Sequence, residues 1–155
     1  MTRWSTMRLA VAAAAVAVTT AWLGSAPRAQ RPATSVTVYK SPTCGCCTKW
    51  VDHMRANGFE VTAQNVEDMG AVKQKHGVPA QAGSCHTSLV GGYVVEGHVP
   101  ADVVKRLLTE RPKVTGVAVP GMPAGSPGME VPGRRDPYTI VSFDESGQIK
   151  VYERR

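Results

Sequence analysis

The amino-acid sequence predicts an α/β fold whose elements follow one another in the order β-α-β-α-β-β-α. Two observations predict it. Apolar residues switch repeatedly between the two-residue period of strands and the longer period of helices, and glycines and prolines mark the points of change. At 155 residues, the chain has room for one domain and little more.

The first four elements occupy residues 35–76. Residues 35–40 alternate in polarity and are β-branched, which is typical of a strand. A helix is predicted over 46–57 because its apolar side chains recur on one face and a glycine follows it. A second strand is predicted over 59–66 and a short helix over 67–76.

The next three elements complete the predicted core. A strand over 86–90 is followed by the glycine pair 91–92, a signal for a tight hairpin, and by a returning strand over 93–98. A helix is predicted over 100–110 because its leading proline suits a first helical turn. The resulting order over residues 36–110 is that of a thioredoxin-like fold.

The C-terminal segment differs in composition from this core. Residues 117–137 form a Gly- and Pro-rich loop that carries Met122 and Met129. The loop is long for a connection without secondary structure, and such loops are usually functional or disordered. Two alternating segments within 138–153 then predict a terminal β-hairpin.

The N-terminal 29 residues have the pattern of a secretory signal peptide. Two arginines precede an uncharged apolar run over 9–23, and small residues follow it. This run of about 15 residues is short for a bilayer, which needs about 20, so an uncleaved membrane anchor is disfavoured. We expect a mature domain over 30–155 that is exported and not stably inserted in a membrane.

The charge of the chain argues against binding to nucleic acids. Removal of the predicted signal takes away three arginines and no acids, which lowers the formal charge from +6 to +3. The remaining basic residues are scattered, whereas a nucleic-acid-binding surface needs a basic stripe interleaved with aromatic residues.

The four cysteines lie in two short motifs, Cys44-Gly-Cys46-Cys47 and Cys85-His86. In an oxidising compartment an even number of cysteines suggests disulfides. A bond between Cys46 and Cys47 would strain the peptide between them, and one between Cys44 and Cys46 would close a very small ring. Cys44–Cys47 is the unstrained pairing within the motif, and it leaves Cys46 and Cys85 to be explained.

The predicted topology brings the two cysteine motifs together. The loop after the first strand leads to the N-terminus of the first helix, where unpaired N–H groups and the helix dipole stabilise thiolates. The loop before the third strand lies beside that helix start. We therefore expect Cys85 and His86 to face Cys44, Cys46 and Cys47.

Such a cluster predicts a site for soft metal ions. Thiolate-rich sites select copper(I), zinc or iron–sulfur clusters. Adjacent Cys46 and Cys47 suit the bridging of several ions better than the chelation of one, which favours copper over zinc. Met122 and Met129 would add soft thioether ligands, although loop methionines can also simply fill a groove.

Other residues of these types have structural interpretations. Cys46 could be a small buried apolar residue. His53 is interpreted as a solvated or capping side chain, and His76 as a structural residue at a helix C-terminus. His98 closes the strand before Pro100, and the sequence leaves its role open.

Four segments taken together are recognisable: SPTCGCC, GVPAQAGSCHT, VVEGHVP and GVAVPGMPAGSPGME. Through them the chain closely resembles the small exported metal-binding proteins of the CopG-type copper-resistance family. The resemblance spans residues 36–153 and implies a thioredoxin-like fold, a periplasmic location and several copper ions bridged by cysteine sulfurs. It also implies a role in interconverting copper(I) and copper(II).

The resemblance extends to individual residues. Cys44, Cys46 and Cys47 match the CxCC motif of the family, and Cys85 with His86 matches its Cys-His pair. The partners implied are copper ions and other periplasmic copper-handling proteins. Whether the protein is a catalyst, a store or a carrier of copper is left open by the resemblance.

Three functions compete on this evidence. The leading hypothesis is a periplasmic copper-binding protein for copper resistance. The second is a thiol–disulfide oxidoreductase in which Cys44 attacks and Cys47 resolves, although the third thiol, Cys46, would invite wrong exchange. The last is a disulfide- or zinc-stabilised module that binds another protein through its proline-rich loop.

Overall fold

All described strands of the protein belong to one seven-stranded sheet, which the computed structural model describes over residues 34–155. The predicted signal peptide lies outside the described residues. The helices are α1 (Gly45–Ala56), α2 (Met69–Lys75) and α3 (Ala101–Glu110), with a short 3-10 turn at Ala80–Ala82. The strands are β1 (Thr34–Lys40), β2 (Phe59–Asn65), β3 (His86–Val90), β4 (Tyr93–Glu96), β5 (Gly116–Ala118), β6 (Thr139–Phe143) and β7 (Ile149–Arg154).

The first four strands have the thioredoxin-like arrangement that the sequence predicts. Their order in the sheet is β2-β1-β3-β4. Strand β1 runs parallel to β2 and antiparallel to β3, and β3 forms a hairpin with β4 through the predicted glycine pair. The α/β fold class and the order β-α-β-α-β-β-α are therefore confirmed.

The C-terminal segment extends this sheet by three strands. The predicted terminal hairpin is β6 and β7, which pair antiparallel. Strand β5 pairs parallel with β4 and antiparallel with β6, so it joins the hairpin to the core. The sequence analysis assigns most of β5 to the long loop, because a three-residue strand is too short for its periodicity to be detected.

The main hydrophobic core lies on the sheet face covered by α1 and α3. Trp50 and Met54 of α1 and Leu107 of α3 are fully buried there. Each such side chain contributes about 1.5–3 kcal/mol through burial. Trp50 also donates a buried hydrogen bond of 2.9 Å from Nε1 to the carbonyl of Val99, which fixes α1 against the segment that follows β4.

The opposite sheet face has a smaller core that includes Val94 and Phe143. Helix α2 lies on this side, where Lys73 reaches Thr87 and Glu96 of the β3–β4 hairpin. None of the helices among residues 34–155 is long and apolar enough to cross a membrane.

Strand β4 is shorter than predicted, since it ends at Glu96 and not at residue 98. Gly97 adopts a φ of +70°, which turns the chain out of the sheet. A Cβ at this position would lie 2.3 Å from Ser84 Oγ, so a glycine is required there for space as well as for conformation. The turn directs His98 away from the strand.

Candidate metal centre

Helix α1 begins within the CxCC motif. Cys44 is its N-cap residue, with extended backbone and no side-chain capping hydrogen bond, and Cys46 and Cys47 lie in its first turn. The free N–H groups of this turn and the helix dipole favour negative charge on sulfur. The structure contains a disulfide between Cys44 and Cys47, the pairing that the sequence identifies as unstrained, and leaves Cys46 and Cys85 as free thiols.

The loop that carries Cys85 is anchored by a buried carboxylate. Glu96 is fully buried, and its Oε1 accepts a hydrogen bond of 2.6 Å from the backbone N–H of Ser84. The same carboxylate pairs with Lys73 of α2 and accepts a 2.7 Å hydrogen bond from Thr87 Oγ1. These contacts hold Cys85 in place at the start of β3. The sequence analysis does not identify this network.

The structure brings the two cysteine motifs together at one end of the sheet. The sulfur atoms of Cys44, Cys46, Cys47 and Cys85 all lie within 4.8 Å of one another. Cys46 Sγ is 3.5 Å from Cys44 Sγ, and His86 Nδ1 is 3.3 Å from Cys85 Sγ. The predicted convergence of the four cysteines is therefore observed, and His86 lies beside one of them, Cys85.

His98 belongs to the same cluster, although the sequence analysis leaves it unassigned. Its Nε2 atom lies 2.9 Å from Cys85 Sγ, and Cys85, His86 and His98 offer ligand atoms within 4.8 Å of one another. Its Nδ1 atom lies 2.7 Å from the carbonyl oxygen of Pro127. A carbonyl can only accept, so Nδ1 carries the proton and the Nε2 lone pair faces Cys85.

His86 is fully buried on the α1 side of the sheet. Its ring centroid lies 4.5 Å from that of Trp50 and 5.0 Å from that of His98. Its Nε2 atom has no hydrogen-bond partner among the residues that the structure describes. A buried polar atom without a partner is uncommon and is often explained by a bound ion or water.

Burial sets the protonation of the two imidazoles. It lowers the pKa of His98, and it lowers the pKa of His86 well below the ordinary value of 6.5, with the nearby His98 adding to the effect. Both rings are therefore neutral near pH 7. Neutral imidazoles bind metal without first losing a proton.

The pKa of the Cys85 thiol is shifted in the opposite direction, upward. Burial, together with the negative charge of Cys46, raises the pKa of Cys85 to about 12. Without a cation the cluster therefore holds Cys85 as a neutral thiol. A bound metal ion would compensate the charge that makes the thiolates unfavourable here.

The Gly- and Pro-rich loop packs over this cluster. Gly121, which precedes Met122, donates a backbone hydrogen bond of 3.1 Å to Gly83 and accepts one from Ser84 Oγ. Gly128, which precedes Met129, approaches α1 so closely that an added Cβ would lie 2.8 Å from the Cys46 carbonyl oxygen. The residues that precede the two methionines therefore lie next to the cysteine-containing segments. Met122 is 54% exposed, and Met129 is partly buried.

The donor set fits a soft metal ion. Four sulfur atoms and two neutral imidazoles meet at the end of the sheet, and thiolate with imidazole is a combination that copper and zinc bind. No carboxylate belongs to either potential metal-binding group among residues 34–155, so the site does not resemble a calcium or magnesium site.

Comparisons with known proteins agree with this geometry. A family model described as a protein of unknown function, DUF411, matches residues 82–129, a segment that contains Cys85, His86, His98 and both loop methionines. No curated protein matches the chain.

Two solved structures, titled copper resistance protein CopG, Form 2 and Form 1, are each 47% identical to the chain. Form 2 superimposes with a TM-score of 0.76 and covers 79% of this chain and 98% of its own. Form 1 gives a TM-score of 0.75, with 81% and 98% covered. With this identity over nearly the whole of both relatives, and a cysteine cluster at the end of the shared fold, the chain belongs to the CopG family of copper-resistance proteins.

Proposed function

We propose that this protein is an exported copper-binding protein of the periplasm that holds copper(I) as part of copper resistance. The observation that carries the proposal is the convergence of the four cysteine sulfurs within 4.8 Å of one another. When reduced, this set would bring up to four negative charges into a small volume, and several monovalent cations would offset them better than one. The proposed ligands are Cys44, Cys46, Cys47, Cys85 and His86, with Met122 and Met129 as thioether ligands from the loop.

The position of Cys46 supports a cluster bridged by sulfur. Its sulfur is 3.5 Å from Cys44 Sγ and lies within 4.8 Å of the sulfurs of Cys47 and Cys85. A thiolate in this position can bind two copper(I) ions at once. We therefore propose that the fully reduced protein binds more than one copper ion per chain.

A copper titration tests this proposal. The reduced protein would be titrated anaerobically with copper(I) in competition with a chromogenic chelator, beside the Cys46→Ser variant. We expect more than one copper per chain in the wild type and a lower number in the variant. Thr48→Ser is a matched control, because Thr48 is exposed on the same helix and serine keeps its hydroxyl bond to Cys44. One copper or none in the wild type would contradict the multi-copper proposal, and a parallel zinc titration would show which metal is preferred.

The Cys44–Cys47 disulfide supports a role in copper oxidation and reduction. Two copper(II) ions and the two thiolates of this pair would give two copper(I) ions and the disulfide, so that charge and electrons balance. Mixing the reduced protein with two equivalents of copper(II) under argon should then produce this disulfide, which can be mapped by mass spectrometry. If both thiols stay free, the pair does not reduce copper(II).

The same disulfide favours a second candidate, a thiol–disulfide oxidoreductase that uses Cys44 and Cys47. Its position at the N-terminus of α1 is one where thiolates are activated. The free sulfur of Cys46, 3.5 Å from Cys44, would compete in the exchange and argues against it. Full insulin-reducing activity in a metal-free protein with Cys46→Ser and Cys85→Ser would favour this candidate over copper binding.

The proposed location can be tested separately. Mass spectrometry of the full-length chain, expressed in bacteria and recovered from the periplasmic fraction, should show a new N-terminus close to residue 30. An intact N-terminus in the cytosolic fraction would contradict export.

A further inference from the structure

The metal centre contains two donor sets that overlap at Cys46, Cys85 and His86. In the disulfide-bonded form, Cys44 and Cys47 are bonded to each other and no longer provide thiolates. The donors that remain are the free thiols of Cys46 and Cys85 and the imidazoles of His86 and His98.

Three of the remaining donors have the spacing of a single metal site, and the fourth, Cys46, lies beside one of them. Metal–sulfur and metal–nitrogen bonds of about 2.3 and 2.0 Å place neighbouring ligand atoms about 3.5 Å apart. Cys85 Sγ lies 3.3 Å from His86 Nδ1 and 2.9 Å from His98 Nε2. The Cys46 sulfur is within 4.8 Å of the Cys85 sulfur. To complete a four-ligand site, the Cys46 side chain would have to move toward the two histidines.

The two histidines are prepared to bind metal. The Pro127 carbonyl fixes the proton of His98 on Nδ1 and leaves Nε2 directed at Cys85. His86 directs Nδ1 at the same sulfur. Both rings are fully buried, so their orientations are held by packing.

The surroundings of Cys85 support the same conclusion. Its loop is anchored through Ser84 to the buried carboxylate of Glu96 and, by a second bond, to Gly121 of the long loop. Neither anchor involves Cys44 or Cys47. Formation of the disulfide therefore leaves the framework of the Cys85–His86–His98 group unchanged.

We propose that the disulfide-bonded protein keeps a site for one copper(I) ion, formed by Cys46, Cys85, His86 and His98 and distinct from the multi-copper set of the reduced protein. The inference rests on the proposed copper-binding function, because both sites share Cys46, Cys85 and His86. It adds His98 to the ligands and assigns a different metal content to each oxidation state of the Cys44–Cys47 pair. Oxidation of that pair by two copper(II) ions, which each take one electron and become copper(I), would then release part of the copper(I) already bound and retain one ion.

The experiment compares three forms of the protein under anaerobic conditions. They are the reduced wild type, the disulfide-bonded wild type, and a Cys44→Ser, Cys47→Ser variant that removes the pair without forming a bond. Each would be titrated with copper(I) in the absence of added thiol, and mass spectrometry would verify that the disulfide is intact. We expect one copper per chain in the last two forms and more in the first. X-ray absorption at the copper edge should show nitrogen and sulfur neighbours in the one-copper forms.

A histidine variant tests the ligand set. His98→Gln should weaken copper(I) binding to the disulfide-bonded form by about tenfold or more and reduce the nitrogen scattering to that of His86 alone, while affecting the reduced form less. His76→Gln is the matched control, because His76 stacks on Tyr39 and belongs to neither donor set. Circular dichroism would show that each variant is folded. The stoichiometry of the two-serine variant is a separate test that does not require the His98→Gln variant to fold.

The outcomes separate this inference from the proposed function. If the disulfide-bonded form and the two-serine variant bind no copper while the reduced protein binds several ions, the one-copper site is refuted and the proposed function stands. An all-sulfur environment, or unchanged affinity in His98→Gln, would also refute it. If the disulfide-bonded form binds one ion through nitrogen and sulfur but the reduced form binds no more, the one-copper site stands and the multi-copper proposal fails.

Discussion

Cys85 and His98 face each other across the open end of the β3–β4 hairpin, with Cys85 Sγ 2.9 Å from His98 Nε2. The hairpin register ends with Thr87 paired to Glu96, and the cysteine and the histidine lie two positions beyond that last pair, one on each arm. The same hairpin therefore positions a thiol, an imidazole and the carboxylate that anchors the thiol loop. The geometry of this group depends on the backbone of two paired strands.

Replacement of Glu96 tests the anchor of the cysteine loop. Glu96→Gln removes the buried ion pair with Lys73 and should lower the free energy of unfolding of the metal-free protein by about 2–4 kcal/mol. Urea denaturation measures this loss. We also expect weaker copper(I) binding, because Ser84 and the adjoining Cys85 lose their fixed position.

Glu110→Gln provides the control for Glu96, since Glu110 pairs with Arg106 at 3.9 Å on the exposed side of α3. An exposed pair contributes at most about 1 kcal/mol. Equal effects of the two substitutions would show that the buried carboxylate has no special role.

A pair of glycine substitutions tests how closely the loop packs on α1. Gly128→Ala places a Cβ 2.9 Å from the backbone nitrogen of Trp50, at a position where φ is +84°. The unfavourable backbone conformation should cost about 1–2 kcal/mol, and the steric overlap about 1–3 kcal/mol more. Thermal or urea unfolding would measure both costs together, and copper(I) affinity should also fall because Pro127 would shift from His98.

Comparison with Gly133→Ala separates the steric cost of Gly128→Ala from its backbone cost. Gly133 has a similar φ of +73°, but an added Cβ would contact nothing within 4 Å. We expect this variant to show only the backbone cost and normal copper binding. If both substitutions lower the free energy of unfolding equally, the loop is not packed tightly against α1 at Gly128.

The stability of the metal-free protein should depend on pH through its buried histidines. His53 Nε2 accepts a 3.1 Å hydrogen bond from the backbone N–H of Ala101, and burial lowers its pKa from 6.5. As pH falls below 6.5, the unfolded chain takes up protons that the folded chain resists. The free energy of unfolding should therefore decrease with falling pH, until the pH reaches the lower pKa of the folded state.

Urea titrations at several pH values would measure this decrease. His53→Gln keeps a hydrogen-bond acceptor without a titrating group, so its stability should fall less steeply with pH than that of the wild type. His86 and His98 would supply the remaining dependence, since burial lowers the pKa of each. Identical slopes for the variant and the wild type would contradict a neutral His53 in the fold.

The methionines of the loop give a further test of the ligand set. Met122→Leu and Met129→Leu keep side-chain volume and remove the thioether, so they should weaken copper(I) binding and leave stability nearly unchanged. Competition titration with a copper(I) chelator measures the affinity. Met54→Leu is the control, because Met54 is fully buried in the core and should affect stability only. Unchanged affinity in both loop variants would mean that these methionines only fill space.

Much of the fold could be predicted from the sequence because its signals are local. Alternation marks β1, helical spacing marks α1 and the glycine pair at 91–92 marks the hairpin, and each is found where predicted. The convergence of Cys85 with the CxCC motif followed from topology, since both loops open at the same end of the sheet. Strand β5 was not predicted, because a three-residue strand derives its stability from neighbouring strands and not from its own pattern.

The position of His98 beside Cys85 was left open by the sequence interpretation, although the sequence contains a signal for it. Counting outward from the glycine pair places position 98 opposite position 85, two positions beyond the last observed pair, Thr87 with Glu96. The predicted strand ran through residue 98, which hid the turn at Gly97. The pairing of Lys73 with Glu96 has no local signal, because it joins a helix and a strand 23 residues apart. The ligand roles of the cysteines, His86 and the methionines stay predictions.

The hydrogen bond from His98 Nδ1 to the Pro127 carbonyl connects the cysteine–histidine cluster to a segment outside the thioredoxin-like core. The recognisable thioredoxin-like core ends with α3 at Glu110, yet the carbonyl that fixes the tautomer of His98 comes from a segment 17 residues beyond that end. A chain cut after α3 would also expose the edge of β4 that β5 covers. The recognisable fold is thus smaller than the functional unit. Any attempt to graft or miniaturise this metal centre would have to carry the proline-rich segment with it.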